Sequence, residues 1–267
     1  MNLGEAILLG LIQGVAEFLP ISSSGHLIVV PWLLGFKDHT LAFDVALHLG
    51  TLVAVAGALL GDWVVMIRGA FQSLRTRGSP FASEDGRRLG FLAVASIPGG
   101  LFGLLLNDLA EETFRSAALV AVSMAVMGLV LWLADSRSSA GKDLTAWTLR
   151  DALIMGFAQS LALVPGVSRS GATISAARFL GYERNTAARL SFLMALPLTL
   201  GAVMLKAPKL FEGGADPALI AGIVTAAVFG LLSIRVLFAW VRKRSYLPFV
   251  IYRLAFAAVI LAVWFAR

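Results

Sequence analysis

QGVAEFLPISSSGH, residues 13–26, is the stretch that decides the fold, because it places an amide, a carboxylate, three serines and an imidazole inside an apolar run. Gln13 and Glu17 are four residues apart and therefore share one face of a helix. Pro20 disfavours helical geometry at the residue before it and is expected to end that helix. The serines that follow suit the N-cap of a second short helix. A helix broken in this way, with hydroxyls and free backbone N–H groups at the break, predicts an anion-binding site.

The composition requires a membrane protein. The chain has 267 residues, of which 58% are hydrophobic and only 14% charged, and its mean hydropathy is +0.85. A soluble core could not absorb so much apolar surface, so we expect an all-α polytopic membrane protein. The net charge of +6 does not indicate nucleic-acid binding, because the basic residues lie in short loops between apolar segments.

The apolar runs predict six membrane spans and two shorter hairpins. A span needs roughly 20 apolar residues. Two regions, 3–36 and 151–186, contain a break and a short second arm, and we interpret both as re-entrant helical hairpins. The predicted spans are 41–61, 89–106, 115–134, 187–206, 217–239 and 247–266.

Loop charges predict the orientation. Loops 62–88, 135–150 and 240–246 hold eleven Lys and Arg residues, whereas the opposite side holds only Lys37, Arg115, Lys206 and Lys209. The positive-inside rule places the first set of loops in the cytoplasm. Both termini then lie outside, and the two hairpins enter the membrane from opposite sides.

The chain also repeats itself at the two breaks. A shift of 146 residues superposes polar residues of the first break on those of the second: Gln13 on Gln159, Ser22 on Ser168, Ser24 on Ser170 and Gly25 on Gly171. We therefore predict a single membrane domain, 1–267, built as an inverted-topology repeat with halves of approximately 1–145 and 146–267. Such repeats place their site where the breaks meet.

The second break reads PGVSRSGAT, residues 165–173. Its glycines, Gly166 and Gly171, allow close approach of backbone to a ligand, and its hydroxyls belong to Ser168, Ser170 and Thr173. Arg169 carries a permanent charge at membrane depth, and its guanidinium matches phosphate oxygens. The alternative interpretation of Arg169 is a structural ion pair with Glu17, and the two roles are compatible.

Together the breaks supply the groups that phosphoryl transfer needs: donors and a cation for oxyanion charge, a nucleophile and an acid/base. The histidine spacing does not suit zinc. A hard divalent ion held by Glu17 and phosphate oxygens is compatible with the set. Asp44 and His48, which share a helix face, fit an interfacial pair or a supporting role at the site equally well.

The two motifs resemble the signatures of the undecaprenyl-diphosphatase family, the bacitracin-resistance membrane phosphatases. The first signature is (E/Q)xxxE followed by PxSSxGH, here Gln13 to Glu17 and Pro20 to His26, and the second is PGxSRSxxT, here Pro165 to Thr173. The resemblance covers essentially the whole chain. The chain also shares SSGH with the PSGH motif of phosphatidate-type phosphatases, but no histidine follows Ser168-Arg169, so that family is excluded.

The resemblance implies hydrolysis of undecaprenyl diphosphate to undecaprenyl phosphate and phosphate, at the outer face of the bacterial inner membrane, with a divalent cation such as Mg²⁺ or Ca²⁺. It implies catalytic roles for Glu17, Ser23, His26 and Arg169, with Glu17 as the metal ligand. Gln13 stands where many members have glutamate, which weakens metal binding. The remaining motif residues are predicted to bind substrate: Gln13, Ser22, Ser24, Gly25, Gly166, Ser168, Ser170, Gly171 and Thr173.

Several alternatives stay open at this point. Ser23 is the first choice of nucleophile with His26 as acid/base, and a phosphohistidine at His26 is the second. The competing function is a transporter or flippase for a polyprenyl phosphate lipid, because inverted repeats with broken helices are common in transporters. The predicted partners are the polyprenyl diphosphate and bilayer lipids, without nucleic acid, and a homodimer is left open.

Overall fold

The computed structural model describes residues 2–36, 41–106, 116–138, 141–211 and 216–267. Within these ranges the chain forms eleven α-helices and three short 3₁₀ turns, which confirms the all-α class. Lys37 and Arg115, used above for the orientation, lie outside the described residues. The helices are α1 (Leu3–Phe18), α2 (Ser23–Leu34), α3 (Leu41–Ala58), α4 (Leu60–Arg77), α5 (Glu84–Leu105), α6 (Ala117–Arg137), α7 (Leu149–Ser160), α8 (Arg169–Phe179), α9 (Arg184–Phe211), α10 (Pro217–Val241) and α11 (Leu247–Ala266).

Five of the described helices are long and apolar enough to cross a membrane: α5, α6, α9, α10 and α11. The consecutive helices α3 and α4 meet the same criterion only as a pair, bent by 68°, and make a sixth span if they are counted together. The five long helices contain or overlap five of the six predicted spans, so a polytopic membrane protein is confirmed. The sixth predicted span, 41–61, falls on α3, which meets the criterion only together with α4. By contrast, α2 has 12 residues and α8 has 11, too short to cross roughly 30 Å of hydrocarbon at 1.5 Å per residue.

The region 62–88, predicted as a loop, is mostly helical. Helix α4 fills Leu60–Arg77, and α5 begins at Glu84. The prediction failed because Asp62 and the arginines of this segment lower its hydropathy, although apolar residues such as Val65 and Ile67 alternate with them. Both side chains are more than half exposed, while Met66, Ala70 and Ser73 are buried, and α4 is bent by 68° from α3.

Small residues bring α1 close against α10. A β-carbon added at Gly14 would lie only 2.7 Å from the backbone oxygen of Ala226 and 2.8 Å from the nitrogen of Gly230. A side chain at this position would therefore push the two helices apart. Small residues allow membrane helices to pack closely in the same way. This contact fixes α1, and with it the polar face that carries Gln13 and Glu17, against the centre of the molecule.

The buried carboxylate of Asp135 connects several helices at the end of the bundle where α6 ends and α9 begins. Asp135 accepts from Arg178 Nε at 3.0 Å, from Arg184 Nε at 2.7 Å and from the backbone N–H of Tyr246 at 3.1 Å. In the connection between α8 and α9, burial and a hydrogen bond to Asp151 raise the pKa of the Tyr182 phenol. These bonds hold α6, α8, α9 and α11 in one arrangement around the site.

Candidate active site

The first helix break is built as its sequence predicts. Helix α1 ends at Phe18, and Leu19 before Pro20 is extended, with ψ of 140°. Ser22 is the N-cap of α2, and its hydroxyl accepts the N–H of Gly25 at 3.3 Å. Ser22 has a φ of +75°, a conformation that a residue with a β-carbon adopts only at a cost of order 1–3 kcal/mol. This conformation turns the chain between the two helices, and Ser23, Gly25 and His26 at the start of α2 are buried.

The second break repeats this geometry 146 residues later. Ser168 is the N-cap of α8, its φ is +73°, and its hydroxyl accepts the N–H of Gly171 at 3.1 Å. Ser168 and Ser170 place their hydroxyl oxygens 3.1 Å apart, as Ser22 and Ser24 do at 3.4 Å. The sequence repeat therefore corresponds to the same local structure in both halves.

The two breaks are in contact. Ser170 Oγ donates to the carbonyl of Leu19 at 3.2 Å. A β-carbon added at Gly25 would lie 3.4 Å from the Cα of Gly166, so these glycines allow the two backbone segments to lie close together. The N-termini of α2 and α8 consequently lie beside each other, and their dipoles and free N–H groups favour an anion between them.

Arg253, on α11, fastens the two breaks together. It is fully buried and donates to Pro20 O of the first break at 3.1 Å and to Gly166 O and Val167 O of the second at 2.7 and 3.1 Å. A further bond runs from its Nε to Met124 O at 3.0 Å. Carbonyls that a broken helix leaves without partners thus receive donors from one guanidinium.

Glu17 is the centre of the polar network. Its Oε2 accepts Ser23 Oγ at 2.5 Å and Gln13 Nε2 at 3.1 Å, and its Oε1 accepts Arg169 Nη2 at 3.0 Å. His48 Nε2 lies 3.7 Å from Oε2, while its Nδ1 contacts the backbone oxygen of Asp44 at 2.8 Å. The carboxylate therefore accepts a hydrogen bond from one serine hydroxyl and is paired with a cation from the second break.

A cavity of about 190 Å³ opens onto this network. Polar and apolar residues both line it, and five of the predicted site residues are among the polar ones. The polar residues that line it are Glu17, Ser23, Ser24, His48, Gln159, Ser160, Ser168, Arg169 and Thr199, and the others are Gly99, Ala162, Leu163, Leu198 and Ala202.

Eight predicted site residues do not line this cavity. Thr173, for example, is fully buried and donates its hydroxyl within the protein, to Arg169 O at 2.8 Å or to Ser191 Oγ at 2.7 Å. Such residues lie within the protein around the two breaks and do not line the cavity. Their predicted contact with substrate stays a prediction. The eight residues are Gln13, Ser22, Gly25, His26, Gly166, Ser170, Gly171 and Thr173.

His26 has both ring nitrogens engaged. Nδ1 lies 2.6 Å from Ser22 O, so it carries the proton, and Nε2 accepts the hydroxyl of Tyr252 at 2.6 Å. The ring stacks on Phe256 with centroids 4.6 Å apart. These contacts fix the start of α2, next to Ser23, and the acid/base role predicted for His26 stays a prediction.

Three residues at the site were not among the site residues predicted from the sequence. Gln159 appeared only as the repeat partner of Gln13, although it lines the cavity. Arg253 is a single charge within the apolar run 247–266, and such a residue is a signal for a functional position. His48 was recognised, but only its place on α3 beside Glu17 identifies it as a lining residue.

The residues around Glu17 fit a hard divalent cation with few protein ligands. Among the described residues, no three His, Cys, Asp or Glu side chains converge as a metal cluster. The carbonyl oxygen of the Gln13 amide is buried and has no hydrogen-bond partner in the described structure, and it lies on the same helix face as the Glu17 carboxylate. One carboxylate, one amide oxygen and substrate phosphates form the kind of oxygen set that Mg²⁺ accepts.

Fold and site together define a polytopic helical membrane protein whose polar centre is formed by two structurally repeated helix breaks. The chain belongs to the family of bacitracin resistance protein BacA, whose family model matches residues 6–259. It is 47% identical over 268 residues to the undecaprenyl-diphosphatase of Gemmatimonas aurantiaca and 48% identical over 267 residues to that of Moorella thermoacetica, with full coverage of both chains in each case. The undecaprenyl-diphosphatase of Saccharophagus degradans is 44% identical over 269 residues, again at full coverage.

Proposed function

We propose that this protein is an integral membrane phosphatase that hydrolyses undecaprenyl diphosphate to undecaprenyl phosphate and phosphate, and so recycles the lipid carrier for cell-wall synthesis. The observation that carries the proposal is the 2.5 Å hydrogen bond from Ser23 Oγ to Glu17 Oε2, in a cavity also lined by Arg169. A serine hydroxyl bonded to a carboxylate is an activated nucleophile. The full-length relatives named undecaprenyl-diphosphatase support the same reaction.

In the first step, Ser23 Oγ attacks the terminal phosphorus. Its proton passes to Glu17, and the bond from phosphorus to the bridging oxygen breaks. The bond's electron pair leaves with the prenyl phosphate, a stable anion that needs no proton from the protein. Ser23 is positioned for this attack because it is the first residue of α2, directly after the strained N-cap.

In the second step, water attacks the phosphoserine. The Ser23 oxygen takes back the proton from Glu17, and inorganic phosphate leaves with the oxygen and protons of the water. In both steps charge develops on the phosphoryl oxygens. Arg169 and the N–H groups at the start of α8 stabilise that charge, as fixed dipoles and a cation do in other phosphoryl-transfer sites.

A role for His26 in positioning fits its contacts better than proton transfer. Its two nitrogens are held by Ser22 O and Tyr252 OH, and it does not line the cavity. In this arrangement His26 fixes the backbone turn that aims Ser23. The same contacts argue against a phosphohistidine intermediate, because Nε2 already accepts the Tyr252 hydroxyl.

Glu17 and Gln13 are the residues that would hold a divalent cation. Such an ion supplies positive charge to the phosphate oxygens when bound. Gln13 offers an oxygen without a negative charge, so we expect weaker binding than with two carboxylates.

The apolar residues of the cavity indicate the course of the lipid. Leu163, Leu198 and Ala202 line the cavity, and Leu198 and Ala202 belong to α9, on which Met204 is about two-thirds exposed. We propose that the prenyl chain lies there, in contact with bilayer lipids. The paired short helices α1–α2 and α7–α8 act in this proposal as re-entrant hairpins of an inverted repeat, with the cavity open to the outer face of the inner membrane.

Phosphate release by purified protein in detergent tests the function. With undecaprenyl diphosphate as the substrate, we expect catalytic release that Ser23→Ala abolishes. A transporter would bind the lipid and release no phosphate, since detergent removes the two sides between which it transports. Binding without release by a folded wild-type protein would therefore refute the phosphatase proposal.

A further inference from the structure

Gln159 is a buried amide without a partner inside the candidate active site. Only 2% of the residue is exposed, and neither Nε2 nor Oε1 has a hydrogen-bond partner among the described residues. The side chain lines the same cavity as Glu17 and Arg169. Leaving two polar atoms of one amide unpaired in a buried place is costly, and such a group calls for an explanation.

Comparison with its repeat counterpart identifies why Gln159 is unpaired. Gln13 donates its amide N–H to Glu17 at 3.1 Å. The shift of 146 residues places Leu163 where the first half has Glu17, so the second half keeps the glutamine and lacks its carboxylate. The amide of Gln159 therefore lacks the hydrogen bond that its counterpart makes, and its side chain lines the cavity.

The position of Gln159 in the cavity indicates which part of a ligand it meets. A β-carbon added at Gly99 would lie 3.6 Å from Gln159 Nε2 and 3.1 Å from Leu198 Cδ2. The amide therefore lies close to Leu198, an apolar residue that lines the cavity, whereas Ser23 and Arg169 are both bonded to Glu17. A diphosphate with an apolar tail has two phosphoryl groups in this order, the terminal group to be transferred and the group joined to the lipid.

We propose that Gln159 binds the phosphoryl group that stays on the lipid, in both the diphosphate substrate and the monophosphate product. This inference rests on the proposed function. The amide N–H donates to an oxygen of the lipid-linked phosphoryl group, which replaces the missing partner. Because inorganic phosphate lacks the second group, it binds at Ser23 and Arg169 without contact to Gln159.

The test compares Gln159→Leu with the wild type in detergent, with Gln72→Leu on the exposed face of α4 as the matched control. We expect Gln159→Leu to lower kcat/KM for undecaprenyl diphosphate about 10- to 100-fold, the range of one lost hydrogen bond to a charged group. Inhibition by undecaprenyl phosphate should weaken by a similar factor, and inhibition by inorganic phosphate should stay within about twofold of wild type. Gln72→Leu should change none of these quantities.

Thermal unfolding without substrate separates binding from a structural role. Removing an unpaired buried amide should raise the midpoint by a few degrees, whereas loss of a structural contact would lower it. Gln159→Glu provides a second variant of nearly the same size, and its negative charge should lower kcat/KM further than leucine does. An unchanged kcat/KM in Gln159→Leu, or an equal loss of inhibition by both phosphates, overturns the inference. If wild-type protein released no phosphate from the lipid, the proposed function itself would fail, which is a distinct result.

Discussion

Glu17 and Arg169 are 152 positions apart in the chain and form an ion pair, with Oε1 and Nη2 3.0 Å from each other. Glu17 comes from α1 and Arg169 from the first turn of α8, so the pair bridges the two helix breaks. Both side chains are mostly buried, with 7% and 12% of their surface exposed. The pair therefore has a structural value and a catalytic value, and mutations can separate them.

Arg169→Lys should lower kcat strongly and KM less. Lysine keeps the charge beside Glu17 but loses the planar geometry that holds two phosphoryl oxygens. Thermal stability should change little. Steady-state phosphate release and thermal unfolding on the same preparation measure both effects.

Arg169→Ala leaves a buried carboxylate unpaired, which costs about 3–5 kcal/mol of stability. The double variant Arg169→Ala with Glu17→Gln should recover much of that stability, because the uncompensated charge is gone. We expect its activity to stay lost, since the stabilising cation and the base are both missing. Near wild-type phosphate release from the double variant would remove both residues from the mechanism.

Ser23→Ala should reduce turnover by several orders of magnitude while the protein folds normally. Loss of a nucleophile has a far larger effect than the roughly 10- to 100-fold expected from a misplaced binding group. Ser233→Ala on α10, where the hydroxyl bonds only to Phe229 O of its own helix, is the control and should stay active. More than about a tenth of wild-type activity in Ser23→Ala would exclude the serine as nucleophile.

His26→Gln should cost about 10- to 100-fold in kcat, the effect of a misplaced neighbour, and not the several orders expected for an acid/base. Tyr252→Phe removes the hydroxyl that His26 Nε2 accepts and should produce a smaller loss in the same direction. Both are measured by phosphate release at saturating substrate. A loss of kcat in His26→Gln as large as that in Ser23→Ala would instead support a role for His26 in proton transfer.

The sequence predicted the two breaks well and the contacts between them poorly. Local rules place the end of α1 before Pro20 and an N-cap among the serines that follow, because these depend on neighbouring residues, and the structure assigns the N-cap to Ser22. The N-cap at Ser168 was not predicted. The contact of Ser23 with Glu17 depends on how α2 turns back on α1. The role of Arg253 depends on packing over more than 200 positions, and one sequence without such distances cannot supply it.

The amphipathic helix α4 illustrates a different limit. Hydropathy averaged over 62–77 is low, so the segment was assigned to a loop, yet it forms a regular helix that ends at Gly78 in a left-handed cap. Helical periodicity was present in the sequence, and the average concealed it. The predicted orientation of the protein still rests on charges in this region, and labelling can test it.

Single cysteines at the two ends of α6 test the orientation. Ser116 precedes the helix without capping it, and Ser136 is exposed in its last turn. In intact cells, an impermeant thiol reagent should label Ser116→Cys and leave Ser136→Cys unlabelled, because the loop charges place the latter in the cytoplasm. Labelling of both in permeabilised cells is the control. Labelling of Ser136→Cys from outside would invert the proposed topology.

Arg253→Leu should give the largest loss of stability among these variants. Each buried carbonyl that loses its donor costs about 1–3 kcal/mol, and Arg253 serves three of them at the two breaks. Arg235→Leu, at an exposed position on α10, is the matched control and should unfold at the wild-type temperature. Equal midpoints for the two variants would contradict the fastening role of Arg253.

The same guanidinium has a consequence for motion. Carriers of the inverted-repeat type work by rocking one half against the other around a fixed site, and the hinge plane must slip at each cycle. In the inverted repeat that we propose, Arg253 lies between the two halves, because it donates to Pro20 in the first break and to Gly166 and Val167 in the second. These hydrogen bonds oppose a rocking motion of the two breaks against each other. They favour a fixed site, to which substrate moves and from which product leaves while the two breaks keep their positions.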